Sequence, residues 1–264
     1  MDDLSSRAAF AHTLADRAGE ILRRYFRTPI GFDDKADLSP VTIADREAEA
    51  AMREAIAETF PQDGILGEEM GSVRTDAPYV WVLDPVDGTK SFISGKPLFG
   101  ILIGIATTSG SGAATPAFGI IDQPVTRERW AGGRGIAATL NGAAQTTAAS
   151  KPSVSSAILY STTPYMFHGA DRDAFERLAA RVKHPLFGAD CYAYGLVASG
   201  FADLVCECDL KPYDWCAPAA IIEAAGGVIT DWSGKPLDLN SDGRVLAAGN
   251  ASLHREALAV LQRG

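Results

Sequence analysis

The second half of the chain alternates short β-rich runs with amphipathic stretches, and this alternation constrains the fold more than any other feature. The runs have the length of strands, and the stretches between them have the apolar spacing of helices. The predicted strands cover 156–160, 185–188, 203–207, 227–231 and 245–248, and the predicted helices cover 171–182, 191–199, 215–225 and 251–262. Strands that alternate with helices predict an α/β protein with layered packing.

The first half begins with two amphipathic helices ahead of any convincing strand. One is predicted over 3–27 and stopped by Pro29; the other begins at Thr42, where Thr42-x-x-Asp45 is typical of a capping box, and runs to Pro61. Strands follow at 79–83, 99–106, 117–122 and 127–131, and their close succession predicts antiparallel pairing. A Gly/Ala/Thr-rich stretch then predicts a division of one domain, 1–264, into lobes of about 1–150 and about 151–264.

The acidic balance of the chain limits its partners. Its 264 residues include 24 Lys plus Arg and 33 Asp plus Glu, for a formal net charge of -9. This charge repels nucleic acid and anionic membranes, so neither is an expected partner. If the chain acts on a phosphate ester, which is also an anion, a bound cation has to reverse the local charge.

The apolar runs and the cysteines favour a cytoplasmic protein. The run at 101–106 is far shorter than the ~20 residues that span a bilayer. Residues 1–6 lack the basic and apolar regions of a secretory signal, so a cytoplasmic location is expected. Four cysteines in a chain of this length do not form a disulfide framework, and Cys206 with Cys208 lacks the second pair of a zinc site.

Several common catalytic motifs are missing from the sequence. It contains no P-loop, no Gly-x-Ser-x-Gly and no His-Glu-x-x-His, and its four histidines lack the spacing of metal ligands. Gly133-x-Gly135-x-x-Ala138 is similar to a dinucleotide fingerprint, but Asn141-Gly142 interrupts any following helix. We therefore predict a hairpin loop at this motif.

Acidic residues at three chain-distant places carry the remaining chemistry. The segment 84–89 follows the predicted strand at 79–83, and its Pro and Gly predict a rigid loop at a strand end. Such a loop is a favoured place for a site in α/β proteins. The acidic residues are Glu68 with Glu69, Asp84 with Asp87, and Asp214.

Each of these places also has a structural explanation, and the sequence leaves it open. Asp87 suits a tight turn, Asp214 suits a helix N-cap, Asp45 suits the acidic position of a capping box, and Glu68 can be part of a solvated pair. If the acidic residues bind a metal, oxygen ligands without His or Cys favour a hard cation, and Mg²⁺ is the physiological candidate.

Ordered motifs over nearly the whole chain resemble the inositol monophosphatase superfamily of Mg²⁺-dependent, Li⁺-sensitive phosphatases. The resemblance implies the layered α-β-α-β-α sandwich shared with fructose-1,6-bisphosphatase, commonly as a homodimer. It also implies that the first lobe holds metal and phosphate and the second recognises the substrate. The motifs are Thr42-x-x-Asp45, Gly67-Glu68-Glu69, Trp81-Val82-Leu83-Asp84-Pro85-Val86-Asp87-Gly88-Thr89, Gly133-x-Gly135, Asn141-Gly142, Tyr213-Asp214 and Glu223-Ala224-Ala225-Gly226-Gly227.

The resemblance implies two or three Mg²⁺ ions at the acidic residues. Glu68, Asp84 and the Val86 carbonyl correspond to ligands of the first ion. Asp84 would bridge to a second ion that Asp87 and Asp214 complete, and Glu68 would help to hold a third through water. These ions would clamp the phosphate and activate a water molecule for in-line attack.

The resemblance also implies roles beside the metals. Thr89, hydrogen-bonded to Asp45, corresponds to the pair that orients the attacking water and takes up its proton, and Glu68 is a catalytic residue beside them. The backbone amides of Gly88 and Thr89 would receive phosphate oxygens, and Asp87 and Asp214 would also contact the substrate. The sequence leaves open whether Lys35 approaches this site.

Segments 187–195 and 207–214 are most similar to the histidinol-phosphatase branch of this superfamily. Asp190 stands where many inositol phosphatases have a small uncharged residue, and Glu207 matches a substrate-contacting Glu of both branches. Two carboxylates suit the ammonium and imidazole of histidinol phosphate through charge-assisted hydrogen bonds. The alternative is that Asp190 only caps the helix predicted to start near Cys191.

The expected activity is therefore hydrolysis of L-histidinol phosphate to histidinol and phosphate, a late step of histidine biosynthesis. The leading alternative is an inositol-1-phosphatase or a broader sugar-phosphate phosphatase. A more distant alternative is a non-catalytic protein that binds phosphate esters or divalent cations. This last alternative predicts the loss of Thr89, Asp45 or a metal carboxylate, and the sequence retains all of them.

Overall fold

The computed structural model describes residues 3–29, 31–34, 40–108, 112–147 and 153–263, so Lys35 lies outside the described residues. The helices of these ranges are α1 (Asp3–Tyr25), α2 (Ile43–Thr59), α3 (Thr89–Ile93), α4 (Gly169–Ala179), α5 (Tyr192–Ala198), α6 (Pro212–Ala224) and α7 (Ala251–Leu261). The strands are β1 (Phe32–Asp34), β2 (Pro40–Thr42), β3 (Gly64–Gly67), β4 (Gly71–Val73), β5 (Tyr79–Asp87), β6 (Gly100–Thr107), β7 (Thr115–Gln123), β8 (Glu128–Gly133), β9 (Ile136–Leu140), β10 (Ala143–Ala144), β11 (Ile158–Ser161), β12 (His184–Phe187), β13 (Leu204–Glu207), β14 (Val228–Thr230) and β15 (Val245–Ala248).

The described strands form two large sheets and one short hairpin of β1 with β2. The first sheet has the order β10-β9-β8-β7-β6-β5-β3-β4. All of its neighbours are antiparallel except β3 and β5, which run parallel. The second sheet has the order β12-β11-β13-β15-β14, with β11 parallel to β12 and β13. The antiparallel pairing predicted for the first half is therefore confirmed, and the parallel β3–β5 pair is an addition to it.

The helices lie in three layers around these sheets. Helices α1 and α2 pack on each other and on β5, β6 and β7. Helix α6 packs on β6, β7 and β8 of the first sheet and on β14 and β15 of the second, with α5 beside it. Helices α4 and α7 pack together, and α7 contacts the outer face of β14 and β15. The α-β-α-β-α sandwich implied by the sequence resemblance is confirmed.

The apolar core is divided among these layers. One buried cluster joins α1 and α2 to the first sheet, a second surrounds α5 and α6 between the sheets, and a third joins the second sheet to α4 and α7. Helix α6 has buried residues on all of its faces, including Trp215 and Ile222, because it contacts a sheet on either side. This central position brings the start of α6 to the end of β5.

Three expectations from the sequence need comment. The strand β3 and the β1–β2 hairpin were missed, since they are only three or four residues long and show no clear alternation. The expectation that two helices precede any strand is therefore wrong. The hairpin predicted at Gly133-x-Gly135 is confirmed, because Gly133 pairs with Ile136 across a turn in which Gly135 has a φ of 72°.

No helix within the described ranges combines the length and the apolar character needed to cross a membrane.

Candidate active site

Strand β5 continues through the segment that the sequence predicted to be a loop. Asp84 pairs with Leu102 and Asp87 pairs with Gly100, so β5 contains one more residue than β6 between these pairs. The resulting bulge accommodates Pro85, which has no N–H to donate to the sheet. Within the bulge the Val86 N–H donates to Asp84 Oδ1 at 2.9 Å. The bulge places Asp84 and Asp87 at the same end of the strand.

Asp214 joins these residues from the first turn of α6. The helix begins at Pro212, two residues ahead of Asp214, so the expectation that Asp214 is the N-cap is wrong. Its side chain nevertheless satisfies the helix end, because Asp214 Oδ2 accepts a hydrogen bond from the N–H of the N-cap residue Lys211 at 2.7 Å. Asp84, Asp87 and Asp214 each offer an oxygen within 4.8 Å of the others.

Glu68 completes the acidic cluster from the turn between β3 and β4. Its N–H donates to the carbonyl of Leu83 at 3.1 Å, which ties the turn to β5 one residue before Asp84. The carboxyl group of Glu68 is hydrogen-bonded to that of Asp84. The four predicted metal carboxylates, Glu68, Asp84, Asp87 and Asp214, therefore lie together, and we call them the acidic cluster.

Burial and mutual repulsion make this cluster hard to ionise by itself. Burial, followed by the charges of Glu68, Asp87 and Asp214, raises the pKa of Asp84 well above its ordinary value. The pKa of Asp87 is also raised well above its ordinary value, by burial and then by Asp190 and Asp214. Burial raises the pKa of Asp214 to about 7, although the Lys211 amide opposes this shift.

The donor set fits a hard divalent cation. Carboxylate and carbonyl oxygens are the ligands that Mg²⁺ prefers, and the described cluster offers no His or Cys ligand. A cation counteracts both the burial and the repulsion that raise these pKa values, because it favours the charged form of every carboxylate around it. The chemistry of the residues therefore makes the acidic cluster a candidate metal site.

Asp45 lies at the start of α2 beside this cluster, and its capping role is confirmed. Asp45 Oδ2 accepts hydrogen bonds from the Thr42 N–H at 3.0 Å and from the Thr42 hydroxyl at 2.5 Å. Its other oxygen, Oδ1, is buried and has no hydrogen-bond partner among the described residues. Burial raises the pKa of Asp45, and the charge of Glu68 adds to this shift.

The expected hydrogen bond between Thr89 and Asp45 is wrong. The Thr89 hydroxyl donates instead to the carbonyl of Val86 at 3.1 Å, an acceptor three residues earlier in the same turn. A hydroxyl has a single hydrogen, so this bond leaves Thr89 with only acceptor capacity toward other groups. The Val86 carbonyl, an expected metal ligand, keeps a second lone pair.

Gly88 occupies a crowded position between the acidic cluster and Asp190. It has a φ of 84° at the N-cap of α3, in the left-handed region that favours glycine. A Cβ at this position would lie 2.8 Å from Asp190 Oδ2. The segment that is predicted to receive phosphate therefore lies directly against the Asp190 carboxylate.

Asp190 does not cap α5, so that alternative is wrong. Its Oδ2 accepts a hydrogen bond from the Ser91 hydroxyl at 2.9 Å, and its side chain is also bonded to Thr162. The N-cap of α5 is Cys191, which makes no side-chain capping bond. The Cys191 N–H donates to Asp87 Oδ2 at 2.6 Å, which links the start of this segment to the acidic cluster.

Glu207 lies near Asp190 at the end of β13 and is buried. Its Oε1 accepts a hydrogen bond from the Thr162 N–H at 2.7 Å, and its Oε2 accepts one from the Tyr194 hydroxyl at 2.8 Å. Burial raises the pKa of Glu207, and the nearby charge of Asp190 contributes to the shift. Glu207 in turn raises the pKa of Asp214, so the two carboxylates lie beside the acidic cluster.

Three residues of this region were missed in the sequence. Thr162 bonds both Asp190 and Glu207, Ser91 bonds Asp190, and Tyr194 bonds Glu207. Their partners are between 13 and 99 residues away in the chain. Tyr194 could have been singled out from the sequence, since it lies in the segment that resembles the histidinol-phosphatase branch.

A separate cavity of about 610 Å³ lies between α1 and the β7–β8 turn. Its walls include Arg129, which forms ion pairs with Asp16 and Asp122. None of the acidic-cluster residues lines it. Because Arg129 already pairs with both acids of this cavity, we place the chemistry at the acidic cluster.

Comparison with known proteins is consistent with this choice. A model of the inositol monophosphatase family matches residues 3–263, a range that includes every predicted site residue. The chain belongs to this family.

Relatives and solved structures match over nearly the whole chain. The chain is 47% identical to the bifunctional phosphatase IMPL2, chloroplastic, of Arabidopsis thaliana, over 98% of this chain and 76% of that protein. It is 32% identical to a histidinol-phosphatase of Chlorobaculum parvum, over 95% of each protein. A solved inositol monophosphatase structure from Zymomonas mobilis is 42% identical, with a TM-score of 0.89, and the match covers 99% of this chain and 100% of that one.

These matches identify the chain as a phosphoric monoester hydrolase. The names of the relatives differ in the ester that they specify, since one is a histidinol-phosphatase and another an inositol monophosphatase.

Proposed function

We propose that this phosphatase hydrolyses L-histidinol phosphate to L-histidinol and phosphate, with two or three Mg²⁺ ions held by the acidic cluster and the Val86 carbonyl. The observation that supports this choice of substrate is a pair of carboxylates, Asp190 and Glu207, beside the acidic cluster. Thr162 is hydrogen-bonded to both of them. Histidinol phosphate has an ammonium group and an imidazole that two carboxylates can bind. The reaction belongs to histidine biosynthesis.

Some residues of the site would bind the metal ions, and others would bind the phosphate group. Glu68, Asp84, Asp87 and Asp214 hold the ions, and Asp87 and Asp214 also border the bound ester. Bound Mg²⁺ supplies Lewis acidity and lowers the pKa of a coordinated water. The N–H groups of Gly88 and Thr89 stand at the start of α3, where amides have no partner within the helix, and donate to phosphate oxygens.

Asp45 and Thr89 would orient the attacking water through different atoms. Asp45 Oδ1 is a buried acceptor that no residue of the described ranges hydrogen-bonds, so it can accept a hydrogen bond from water and take up its proton. The Thr89 hydroxyl donates to Val86, so its oxygen can accept a hydrogen bond from the same water. This assignment keeps the predicted catalytic residues Glu68, Thr89 and Asp45 but removes the direct bond between the last two.

Asp190 and Glu207 would bind the leaving group. Each already accepts hydrogen bonds from the protein. Because a carboxylate oxygen has two lone pairs, each oxygen can accept a hydrogen bond from a further donor. A cation between them would also offset the burial that raises both pKa values. The neutral hydroxyls of inositol offer no such charge.

A second candidate substrate is inositol 1-phosphate or another sugar phosphate. Burial raises the pKa of Asp190, and the nearby charges of Lys96 and Lys90 oppose this shift. The same two positive charges offset part of the negative potential that a cationic leaving group meets. This arrangement favours a neutral leaving group more than Asp190 alone would. The relatives named as inositol monophosphatases agree with the same candidate.

A comparison of the two esters tests the proposal. Phosphate release is measured for L-histidinol phosphate and for inositol 1-phosphate with the same protein, the same Mg²⁺ concentration and a chelator control. We expect kcat/KM to be higher for histidinol phosphate and activity to be lost in the chelator. Equal or faster turnover of inositol 1-phosphate contradicts the proposed substrate, and full activity in the chelator contradicts the proposed metal. Li⁺ is expected to inhibit.

We also propose that the chain forms a homodimer. Strand β12 is at the edge of the second sheet, and all four of its residues are exposed, including Leu186 at 40% and Phe187 at 44%. An exposed apolar edge strand is suited to pairing with another chain. Light scattering coupled to size exclusion is expected to give twice the chain mass, and a monomer at micromolar concentration contradicts this proposal.

The cytoplasmic location stays a prediction.

A further inference from the structure

Glu49 is a fully buried acid on α2 that the proposed reaction does not use. It lies four residues after Asp45, on the face of the helix that also buries Ala48 and Met52. Its exposure is 0%. Because burying an ionised carboxylate is costly unless hydrogen bonds compensate it, the contacts of Glu49 need an explanation.

The Glu49 carboxylate binds the turn that carries Glu68. Glu49 Oε2 accepts a hydrogen bond from the Glu69 N–H at 2.7 Å, and Oε1 accepts one from the Met70 N–H at 3.0 Å. Arg53, one helical turn further along, donates to Oε1 at 3.0 Å and to the Gly71 carbonyl at 2.9 Å. The carboxylate therefore satisfies two consecutive amides immediately after Glu68.

The residue before Glu68 fits the same arrangement. A Cβ at Gly67 would overlap Glu49 Oε1, so the carboxylate occupies the space that a side chain at 67 would need. On the other side of the turn, the Glu68 N–H donates to the Leu83 carbonyl of β5. The backbone on both sides of Glu68 is thus held, from α2 by Glu49 and from β5 by Leu83.

We infer that Glu49 is a positioning residue that holds the 67–70 turn so that the Glu68 carboxyl group stays beside Asp84. It touches neither substrate nor metal and acts only through Glu68. This inference rests on the proposed metal role of Glu68. Partners of metal ligands that lie outside the coordination sphere commonly change metal affinity by about 10- to 100-fold when they are replaced.

The substitution Glu49→Gln tests this role with little change of shape. Its amide has one acceptor oxygen and an NH₂ group, so one of the two backbone N–H groups loses its acceptor and faces a donor. We expect the Mg²⁺ concentration for half-maximal activity to rise by about 10-fold. The Mg²⁺-induced increase in melting temperature, measured without substrate, should shrink in parallel, while KM for the ester changes much less.

Glu54→Gln is the matched control, because this substitution makes the same chemical change at an exposed position of the same helix. It should leave both the Mg²⁺ dependence and the melting temperature unchanged. Combining Glu49→Gln with Glu68→Gln adds a second control. If Glu49 acts through Glu68, the double variant should bind Mg²⁺ about as weakly as Glu68→Gln alone.

The outcomes separate this inference from the proposed function. If the wild-type protein shows no Mg²⁺-dependent activity or stabilisation, the metal proposal fails. If it does, but Glu49→Gln lowers only the melting temperature and keeps the wild-type Mg²⁺ dependence, Glu49 is merely structural and the inference is wrong. If Glu49→Gln does not fold, amide hydrogen exchange of the wild type in chelator decides: protected Glu69 and Met70 amides support the inference, and fast exchange overturns it.

Discussion

Asp87 has a structural hydrogen bond and a negative charge that can be separated by mutation. Its Oδ2 accepts the Cys191 N–H, a contact that joins β5 to the segment leading into α5. Its charge is unfavourable in the protein alone, since burial and the neighbouring Asp190 and Asp214 raise its pKa well above the ordinary value. The hydrogen bond needs only an oxygen acceptor, whereas a cation needs the charge.

The substitution Asp87→Asn is therefore expected to abolish turnover without unfolding the protein. The asparagine oxygen can still accept the Cys191 N–H, and the loss of one buried charge should leave the melting temperature in chelator unchanged or higher. We expect kcat/KM to fall by at least about 100-fold, because a charged ligand of the metal site is removed. Phosphate release and thermal unfolding measure the two effects, and retained activity contradicts the proposed metal site.

Asp190 allows a test of substrate selectivity at a single residue. Asp190→Asn keeps an acceptor for Ser91 but removes the charge beside Gly88. We expect kcat/KM for histidinol phosphate to fall by about 10-fold, the effect of one charge-assisted hydrogen bond, and that for inositol 1-phosphate to change little. Asp173→Asn, on the exposed surface of α4, is the control. An equal loss for both esters would falsify the role of Asp190 in selectivity.

At the scale of elements, α6 determines where Asp214 lies. The helix packs against the first sheet so closely that two strand glycines have no room for a side chain. A Cβ at Gly104 would come to 2.8 Å from Cys216 Sγ, and one at Gly119 would overlap the Ala217 carbonyl oxygen and lie 2.6 Å from Ala217 Cα. Since Asp214 is less than one helical turn before these contacts, the distance between α6 and the sheet affects the acidic cluster directly.

Gly119→Ala should consequently weaken both the fold and the site. The added methyl group meets backbone rather than a mobile side chain, so α6 has to move away from β7. We expect a loss of about 1–3 kcal/mol in the free energy of unfolding, typical of overpacking, together with weaker stabilisation by Mg²⁺. Gly112→Ala is the control, because no atom of the residues that the structure describes lies within 4 Å of a Cβ there. Urea unfolding that gives equal stabilities for the two variants contradicts the close packing.

The end of β5 shows which local features the sequence can predict. Pro85 and Gly88 indicated a break after residue 83, and the break exists, but it is a bulge inside the strand rather than a loop. The distinction depends on β6, which supplies Leu102 and Gly100 as partners on either side of the bulge. A sequence window around Pro85 contains no information about that partner, so the continuation of the strand could not be predicted.

At the scale of the whole molecule, the acidic cluster joins segments from both halves of the chain. Asp84 comes from the first sheet and Asp214 from α6, which packs between the sheets. The pKa of Asp214 is raised to about 7, so the folded chain retains a proton that the unfolded chain has lost at that pH. A raised carboxyl pKa contributes stability at pH values below the unfolded pKa, and the contribution is lost as the pH rises through about 7.

Two consequences follow for the pH dependence of stability. In chelator, the contribution of Asp214 makes the protein less stable at pH 8 than at pH 6. Mg²⁺ competes with protons for the same carboxylates, so its stabilising effect should grow over this interval. The measurement is the melting temperature at both pH values, with chelator and with Mg²⁺. A Mg²⁺ effect that is independent of pH contradicts the assignment of these carboxylates as ligands.

We further propose that the two lobes form one domain. The boundary predicted near residue 150 lies outside the described residues. The buried cluster around α5 and α6 includes Val82 and Leu102 from the first sheet and Val205 and Val245 from the second. Calorimetry should therefore show one cooperative unfolding transition with equal calorimetric and van't Hoff enthalpies. Two separate transitions would contradict a single domain.

The sequence by itself determined the longer helices and strands, the capping box of α2 and the carboxylates of the acidic cluster. Each depends on residue type and on neighbours within a few positions, such as Thr42 and Asp45. The sequence also offers a way to notice Glu49, because an acidic residue at a core position of an amphipathic helix is unusual and needs a buried partner. The resemblance to a family supplied the layer order, which no local pattern contains.

Only the tertiary structure decided which atoms of these residues meet. It showed that Thr89 bonds Val86 rather than Asp45, and that Thr162 joins Asp190 to Glu207. These contacts depend on how the bulge of β5 and the start of α6 are placed by packing between two sheets. A hydrogen bond is made or lost over fractions of an ångström. The spacing of residues in a sequence indicates only which helix or strand a residue belongs to and which face of that element it lies on.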